Sequence, residues 1–275
     1  MYDLWGKVAL ITGAGGEHGF GRAIANRLAA EGAAVAVSDL SSVPYGGAWA
    51  GLGALTAEIE GNGGQALKVL ADVTDAEQVD TMVHAVIERF GRLDILVANA
   101  GSRPGPDRVP VVELTEEAFD EVQRVNVKGT FLCCRAAARH MLERGDGGKI
   151  VVISSTAGKR GVARYAAYTA SKFALVGFTQ SLANELGPSG INVNAICPGL
   201  AETERVMHIA DALRQEGETA EDQLADMIRR RAEANPMGRI TETRDIANMA
   251  AFLASSESDH VTGLAVSVSG GDVMH

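Results

Sequence analysis

The sequence predicts an α/β fold built on a doubly wound, parallel, seven-stranded sheet. Short apolar runs rich in Val and Ile recur along the chain, longer segments of helical periodicity separate them, and a glycine-rich turn follows the first run. Strands that are apolar on both faces are typical of parallel sheets covered by helices on both sides. Their alternation with helices is typical of doubly wound proteins.

Each predicted strand is a short apolar run that ends at a turn. The strands are expected at residues 7–12, 34–38, 66–70, 95–98, 149–153, 191–197 and 265–268. The main helices are expected at residues 21–31, 75–90, 115–143, 165–186 and 244–254. Since no repeat or polar linker divides this pattern, we expect residues 1–275 to form a single domain.

Two segments interrupt the alternation. Residues 41–53 contain four glycines, Pro44 and Trp49, and residues 200–233 form a long, charged stretch with helical character. Excursions of this length in a compact domain are usually functional. We expect residues 200–233 to cover the substrate, whereas the sequence assigns no role to residues 41–53.

Composition excludes several classes of function. The chain has 25 Lys and Arg against 35 Asp and Glu, a net charge of −10, which argues against a nucleic-acid partner. Three cysteines without a CxxC pair indicate a reducing compartment, and the six histidines show no metal-ligand spacing. No export signal and no run of about 18 apolar residues is present, so we expect a cytoplasmic protein without a membrane span or a metal.

The glycine-rich turn is the first candidate binding site. Residues 12–21 (TGAGGEHGFG) contain five of the 32 glycines and lie between the first predicted strand and a helix. Glycines allow a pyrophosphate to approach the backbone, and the helix N-terminus supplies free N–H groups. The turn therefore predicts dinucleotide binding, although an ordinary strand-to-helix connection is the alternative.

Asp39, at the end of the second predicted strand, indicates which dinucleotide is used. A carboxylate in this position accepts hydrogen bonds from the adenosine ribose and repels a 2′-phosphate. The neighbours Ser38 and Leu40 supply no positive charge for that phosphate. The sequence therefore favours NAD over NADP.

Further motifs follow along the chain: Asp72 and Val73, Asn99 and Gly101 in ANAG, Asn126, Ser155, Tyr168 and Lys172 in YTASK, Pro198 and Gly199, and Thr203. In this order, and together with Gly13, Gly19, Phe20 and Gly21 in the turn, these motifs resemble those of the short-chain dehydrogenase/reductase family, which implies a Rossmann fold. One difference is that the glycine turn is two residues longer than the family pattern TGxxxGxG, so that Gly13, Gly19 and Gly21 align while Gly15, Gly16 and Glu17 have no assigned counterpart.

The expected chemistry centres on Tyr168 and Lys172, which lie four residues apart and so share one helix face. A nearby ammonium lowers the pKa of a tyrosine and makes it usable as a general acid/base. The resemblance implies that Ser155, with Ser154 as the alternative, stabilises charge on the substrate oxygen, and that Asn126 holds a water linked to Lys172.

The resemblance also implies how the cofactor is held. Asp72 and Val73 are expected beside the adenine ring. Pro198, Gly199 and Thr203 are expected beside the nicotinamide, and Lys172 on the nicotinamide ribose. A homotetramer is expected.

The leading function is an NAD-dependent dehydrogenase or ketoreductase acting on a small-molecule secondary alcohol or ketone: a polyol, sugar or hydroxy compound. The alternatives are a 3-oxoacyl-carrier-protein ketoreductase, against which Asp39 counts because such enzymes typically use NADPH, and a non-catalytic nucleotide-sensing protein. The substrate stays open. Candidate contacts are Glu202, Arg205, Met207 and His208 in the 200–233 segment and Arg103 and Arg108 in residues 101–110, each of which could equally be a solvated surface residue.

Overall fold

The centre of the protein is a parallel sheet of seven strands. The structure, a computed structural model, describes residues 2–44, 48–214 and 217–275. The strands are β1 (Val8–Thr12), β2 (Ala34–Asp39), β3 (Ala66–Leu70), β4 (Ile95–Ala98), β5 (Gly148–Ile153), β6 (Ile191–Pro198) and β7 (Ala265–Val268). They pair in the order β3-β2-β1-β4-β5-β6-β7, all parallel, which confirms the predicted doubly wound sheet.

The strand order reverses between β1 and β4. The chain leaves β3 at one edge, crosses back over β2 and β1, and adds β4 on the other side of β1, where Ile11 pairs with Val97. Ligands of such sheets bind in the crevice at the carboxyl ends of the strands where the order reverses. The loops after β1 and β4 therefore border the expected site.

Helices cover both faces of the sheet. They are α1 (Phe20–Ala30), α2 (Gly51–Gly61), α3 (Ala76–Phe90), α4 (Glu116–Gln123), α5 (Thr130–Arg144), α6 (Ala166–Leu186), α7 (Glu204–Leu213), α8 (Ala220–Ala234) and α9 (Thr243–Ala254). Within the described ranges, none of them combines the length and the apolar character that crossing a membrane requires.

Successive residues of each central strand point to opposite faces of the sheet and belong to two different apolar cores. In β1, Ala9 and Ile11 pack with α1, α2 and α9, while Val8 and Leu10 pack with α3, α5 and α6. Because side chains alternate across a strand, a strand covered on both faces must be apolar throughout. This explains why the strands were recognisable as continuous apolar runs.

The helix expected at residues 115–143 contains a wider turn. It starts as predicted, with Thr115 Oγ1 accepting a hydrogen bond of 3.2 Å from Ala118 N. Residues Arg124–Gly129 then form a π-helical turn between α4 and α5. Such turns often occur at functional sites, and this one contains Asn126. The prediction of one regular α-helix is wrong at this turn.

The 41–53 segment is irregular only until Gly51, where α2 begins. Gly51 has φ +58°, and a Cβ there would lie 1.9 Å from Ser42 O, so this entry to the helix requires glycine. Tyr45, Gly46 and Gly47 lie outside the described residues.

The 200–233 segment forms α7 and α8, which pack on each other. Val206, Ile209 and Leu224 form a small apolar cluster between them. Gln215 and Glu216, which connect the two helices, lie outside the described residues.

Asp94 gives a test of the contacts that hold the central strands. Its carboxylate is 4% exposed and accepts hydrogen bonds from Val8 N (2.9 Å) and Arg92 Nε (2.8 Å), with Arg144 Nη1 3.1 Å away. Asp94→Ala leaves these donors without their acceptor, so we expect the free energy of unfolding to fall by about 2–4 kcal/mol in urea titrations.

The matched control is Asp259→Ala, which removes a carboxylate that is 69% exposed and 2.7 Å from Lys149 Nζ. Exposed pairs contribute at most about 1 kcal/mol, so this variant should unfold close to the wild type. Equal losses for the two variants would contradict the assignment of Asp94.

Candidate active site

A cavity of about 390 Å³ opens at the carboxyl ends of β5 and β6. It brings together residues that the sequence placed in two groups, the cofactor-binding residues and the catalytic ones. Its walls include Phe20, Ser155, Tyr168, Pro198, Gly199 and Thr203.

Tyr168 and Lys172 lie on the same face of α6, as their spacing predicts. The Lys172 side chain is buried (5% exposed), its Nζ donates to Ile153 O at 2.8 Å, and it lies 5.7 Å from the centre of the Tyr168 ring. Burial lowers the pKa of Lys172, an effect that the nearby Tyr168 only partly offsets. The amine is therefore fixed against the strand, with its charge close to the phenol.

The surroundings of Tyr168 favour its phenolate. Burial alone would raise the pKa of Tyr168, but the positive charges of Arg205 and Lys172, a hydrogen bond with Ser155 and the charge of Arg108 together lower it. A tyrosine whose pKa lies below its ordinary value of about 10 is a better proton acceptor near neutral pH.

The two adjacent serines have different environments. Ser154 is buried and its hydroxyl donates to Lys172 O at 2.9 Å, so it ties the end of β5 to α6. Ser155 is half-buried, lines the cavity and hydrogen-bonds with Tyr168. This geometry favours Ser155, the residue given first place in the sequence analysis, as the hydroxyl that faces a ligand.

Asn126 is fully buried and joins the π-helical turn to two other parts of the site. Its Oδ1 accepts from Ser102 N at 2.8 Å, and its Nδ2 donates to Ser171 Oγ at 2.9 Å. The Ser171 hydroxyl in turn donates to Tyr168 O at 2.7 Å. Asn126 therefore connects the loop after β4 to the turn of α6 that carries Tyr168.

The glycine turn is held against the end of β4. Asn99 Nδ2 donates to Thr12 O and Gly13 O at 2.9 and 2.8 Å, and Thr12 Oγ1 accepts from the backbone N–H groups of Asn99 and Ala100, both at 3.1 Å. A Cβ on Gly21 would lie 2.6 Å from Gly13 O, so the helix can approach the turn this closely only with glycine there.

Asp39 lies where the sequence placed it, beside the glycine turn. It accepts a hydrogen bond from Gly15 N at 2.9 Å and one from Leu40 N at 2.8 Å. Burial raises the pKa of Asp39, opposed by these two N–H groups and by the charge of Arg103. Arg103 also reaches across the cleft to donate to Pro44 O.

The longer glycine turn and the 41–53 segment pack on each other. Trp49 Nε1 donates to Gly15 O at 3.1 Å, and the Arg22 guanidinium lies 4.7 Å from the centre of the Trp49 ring. A Cβ on Gly15 would lie 2.6 Å from the Pro44 ring. The longer glycine turn and the 41–53 segment thus form one structural unit, which sequence reasoning missed because its halves are more than 20 residues apart in the sequence.

The remaining predicted cofactor residues line the same edge of the sheet. Asp72 Oδ1 accepts from Thr74 N at 2.8 Å, and Val73 packs against Gly129 in the π-helical turn. Gly101 lies beside Asn126, since a Cβ there would be 3.3 Å from Asn126 Oδ1. Thr203 precedes α7 without making a capping hydrogen bond through its side chain.

Two arginines lie against Tyr168, a position that sequence reasoning did not anticipate. Arg205, on α7, and Arg108, in the loop after β4, have Cζ atoms 5.0 and 4.8 Å from the Tyr168 ring centre. From the sequence, both arginines are expected only as possible substrate contacts. No local pattern distinguishes them from surface arginines, because Tyr168 is distant from both in sequence.

The glycine turn presents a backbone donor to anionic oxygen. His18 N donates to Glu204 Oε1 at 2.6 Å, so the backbone of this turn already binds an anionic oxygen, and a Cβ on Gly19 would meet its nearest neighbours at ordinary van der Waals distances of 3.8–4.0 Å. These are the properties that a dinucleotide phosphate needs. The residues present therefore fit such a cofactor.

Metal-ion and thiol chemistry find less support among the described residues. These residues contain no group of three His, Cys, Asp or Glu side chains that could hold a metal ion. Cys133, Cys134 and Cys197 are free and buried, and burial raises the pKa of Cys133 to about 12. These thiols are poor nucleophiles, because the thiolate is the reactive form.

The chain is similar in sequence and in structure to known proteins. Residues 13–272 match a family model described as enoyl-(acyl carrier protein) reductase. The chain is 38% identical to a short-chain dehydrogenase/reductase of Armillaria gallica, covering 98% of this chain and 96% of that one, and 38% identical to galactitol 2-dehydrogenase of Agrobacterium fabrum, covering 98% of both.

A solved structure gives the same result. The crystal structure of NAD⁺-bound xylitol dehydrogenase superposes with a TM-score of 0.85 at 33% identity, covering 98% of this chain and 99% of that one. The match extends over the sheet, the glycine turn and the 200–233 segment together. The chain therefore belongs to the short-chain dehydrogenase/reductase family of oxidoreductases, whose members bind a nicotinamide cofactor.

Proposed function

We propose that the protein is an NAD-dependent dehydrogenase that interconverts a small secondary alcohol and its ketone. The observation that carries this proposal is the placement of Tyr168 between Lys172 and Ser155, in a cavity that also borders the glycine turn through Phe20. The similarity to galactitol 2-dehydrogenase and to xylitol dehydrogenase supports the class of secondary hydroxyl compounds.

In this proposal the chain's own residues manage the proton. The Tyr168 phenolate accepts the proton of the substrate hydroxyl during oxidation, and the phenol returns it during reduction. Ser155 donates a hydrogen bond to the substrate oxygen and stabilises the negative charge that develops there. Lys172, fixed by Ile153 O, keeps positive charge beside the phenolate.

The cofactor, when bound, accepts or supplies the hydride. The glycine turn would hold its phosphates, Asp39 its adenosine ribose, Asp72 and Val73 its adenine ring, and Thr203 with Pro198 and Gly199 its nicotinamide end. Asn126, through its hydrogen bond with Ser171, fixes the position of Tyr168 relative to the loop after β4. In the proposed enzyme, α7 and α8 cover the substrate.

A 3-oxoacyl-carrier-protein reductase is the second candidate, favoured by the acyl-carrier-protein description of the matching family model. Asp39 argues against it, because its carboxylate, beside the glycine turn, would repel the 2′-phosphate of the NADPH that such enzymes typically use. Comparing acetoacetyl thioesters with polyols and ketones as substrates separates the two candidates.

Replacing Tyr168 by Phe tests the proton acceptor. The ring stays and the hydroxyl goes, so we expect kcat to fall by about 10²–10⁴-fold, while NADH binding, followed by fluorescence, is retained. In the wild type, kcat/KM for alcohol oxidation should rise with pH through a pKa below that of free tyrosine, since the phenolate is the base. Retained turnover in Tyr168→Phe would place the acid/base elsewhere.

The two serines can be separated by parallel alanine variants. Ser155→Ala should lower kcat by about 10²–10³-fold, the effect of losing one donor to a developing oxyanion. Ser154→Ala removes the bond to Lys172 O and should instead lower the free energy of unfolding by about 1 kcal/mol. The opposite ranking of the two kcat values would assign the role to Ser154.

Asp39 determines the preference for NAD in this proposal. We expect kcat/KM with NAD to exceed that with NADP by about tenfold or more in the wild type, because the carboxylate repels the 2′-phosphate. Asp39→Asn keeps an acceptor for Gly15 N but removes the charge, so the ratio should narrow. Comparable kcat/KM for both cofactors in the wild type would contradict the assignment.

A further inference from the structure

Two guanidinium groups lie on the ring of the proposed proton acceptor. The Cζ atoms of Arg108 and Arg205 are 4.8 and 5.0 Å from the centre of the Tyr168 ring, and Arg108 also lies 4.2 Å from that of Tyr165. Arg205 reaches this position from the second residue of α7 and donates to Ser102 O. Two elements that are distant in sequence thus bring cations to the reacting hydroxyl.

Part of the hydrogen-bonding capacity of these cations is unused. Arg108 is 1% exposed, yet its Nε and Nη2 are buried without a hydrogen-bond partner, and Nη2 of Arg205 is in the same situation. Unsatisfied buried donors are rare in native proteins and cost free energy. Such donors beside an open cavity are typical of a site that a ligand completes.

The charges in this part of the site do not cancel either. Arg108 pairs with the buried Asp107, whereas Arg205 has no ion pair in the described parts of the chain. This part of the site contains three cations, Arg108, Arg205 and Lys172. Two negative charges face them, those of Asp107 and of an ionised Tyr168, so one positive charge is in excess. Arg108 and Lys172 are buried and Arg205 is half-buried, and an excess charge in such surroundings costs free energy unless an anion pairs with it.

The other carboxylates of this region already have partners. Glu204, next to Arg205 on α7, accepts a hydrogen bond from His18 N at 2.6 Å. Asp272 pairs with both Arg160 at 2.8 Å and Arg231 at 2.9 Å, and Arg230, which also lines the cavity, pairs with Asp226 at 2.7 Å. Among the described residues, Arg205 is the cavity arginine without a carboxylate partner.

We propose that Arg205 binds an anionic oxygen group of the substrate, a carboxylate or a phosphate, close to the reacting carbon, with Arg108 fixed behind it as a positioning cation. The inference rests on the proposed function and narrows its substrate class from neutral alcohols to hydroxy acids or phosphorylated alcohols. The planar fork of a guanidinium matches the oxygens of either group. A neutral hydroxyl would accept a hydrogen bond without balancing the charge.

The position of Arg205 limits where the anionic group lies in the substrate. Arg205, Tyr168 and Ser155 line the same cavity. Because Arg205 Cζ lies 5.0 Å from the centre of the Tyr168 ring, we expect a group bound to Arg205 to lie within a few carbons of the carbinol. An α- or β-hydroxy acid has this spacing, whereas a long-chain acid with a remote carboxylate does not.

The test compares substrates that differ only in this charge. With NAD, kcat/KM is measured for 3-hydroxybutyrate against its methyl ester, lactate against methyl lactate, and glycerol 3-phosphate against glycerol. We expect the anion of at least one pair to be preferred by about tenfold or more, the effect of one charge-assisted contact. The preferred pair identifies the group as carboxylate or phosphate.

Variants then assign the preference to Arg205. In Arg205→Met the ratio of anion to neutral analogue should fall to about one, and Arg205→Lys should keep part of it, because the charge remains and the fork is lost. Arg229→Met is the matched control. Arg229 lies on α8, pairs with Asp226 and Glu233 and is 57% exposed, so its loss should leave the ratio at the wild-type value.

Failure of the inference and failure of the proposed function give different results. If neutral alcohols are turned over and kcat/KM for the anionic substrates is no higher, the anion site is overturned while the proposed dehydrogenase activity stands. Absence of turnover with every pair would count against the proposed function. Calorimetric titration of the enzyme–NADH complex with acid and ester still decides the anion site in that case. The anion site is supported if the acid binds more tightly than the ester and Arg205→Met abolishes this difference. It is overturned if acid and ester bind equally or if neither binds.

Discussion

The hydrogen bonds between Thr12 and Asn99 are the constraint on which the site depends. They join the ends of β1 and β4, the two strands between which the sheet order reverses. In a parallel sheet the loops that follow such strands diverge and leave a crevice. Here the side chain of Asn99 fixes the glycine turn at one side of that crevice. On the other side, Gly101 lies beside Asn126.

From Asn126 the same network reaches the reacting group. Asn126 accepts from Ser102 N and, through Ser171, is linked to the backbone of Tyr168. On the opposite side, Lys172 and Ser154 tie α6 to the end of β5. The tyrosine is thus held from both neighbouring loops, and its position relative to the glycine turn follows from the packing of rigid elements. Catalytic groups must be held with this accuracy to act on one small ligand.

The electrostatic character of the site comes from a few buried or half-buried charges, although the chain as a whole carries −10. Lys172, Arg205 and Arg108 surround Tyr168 and favour its negative form. In a region of low dielectric each of these charges has more effect than an exposed one. The overall acidity of the surface therefore says little about the ligand, whereas the local excess of positive charge bears directly on it.

A parallel, doubly wound sheet of seven strands and the family could be predicted from the sequence, because both depend on local patterns: apolar runs, helical spacing and short motifs. It also placed Tyr168 and Lys172 on one helix face, since four residues make about one turn. Only the tertiary structure showed that Ser154 is buried and bonded to Lys172 O while the half-buried Ser155 hydrogen-bonds with Tyr168, and that Trp49 packs on Gly15. Only the fold brought Arg108 and Arg205 to Tyr168, because long-range packing determines which distant loops meet and no local pattern records it.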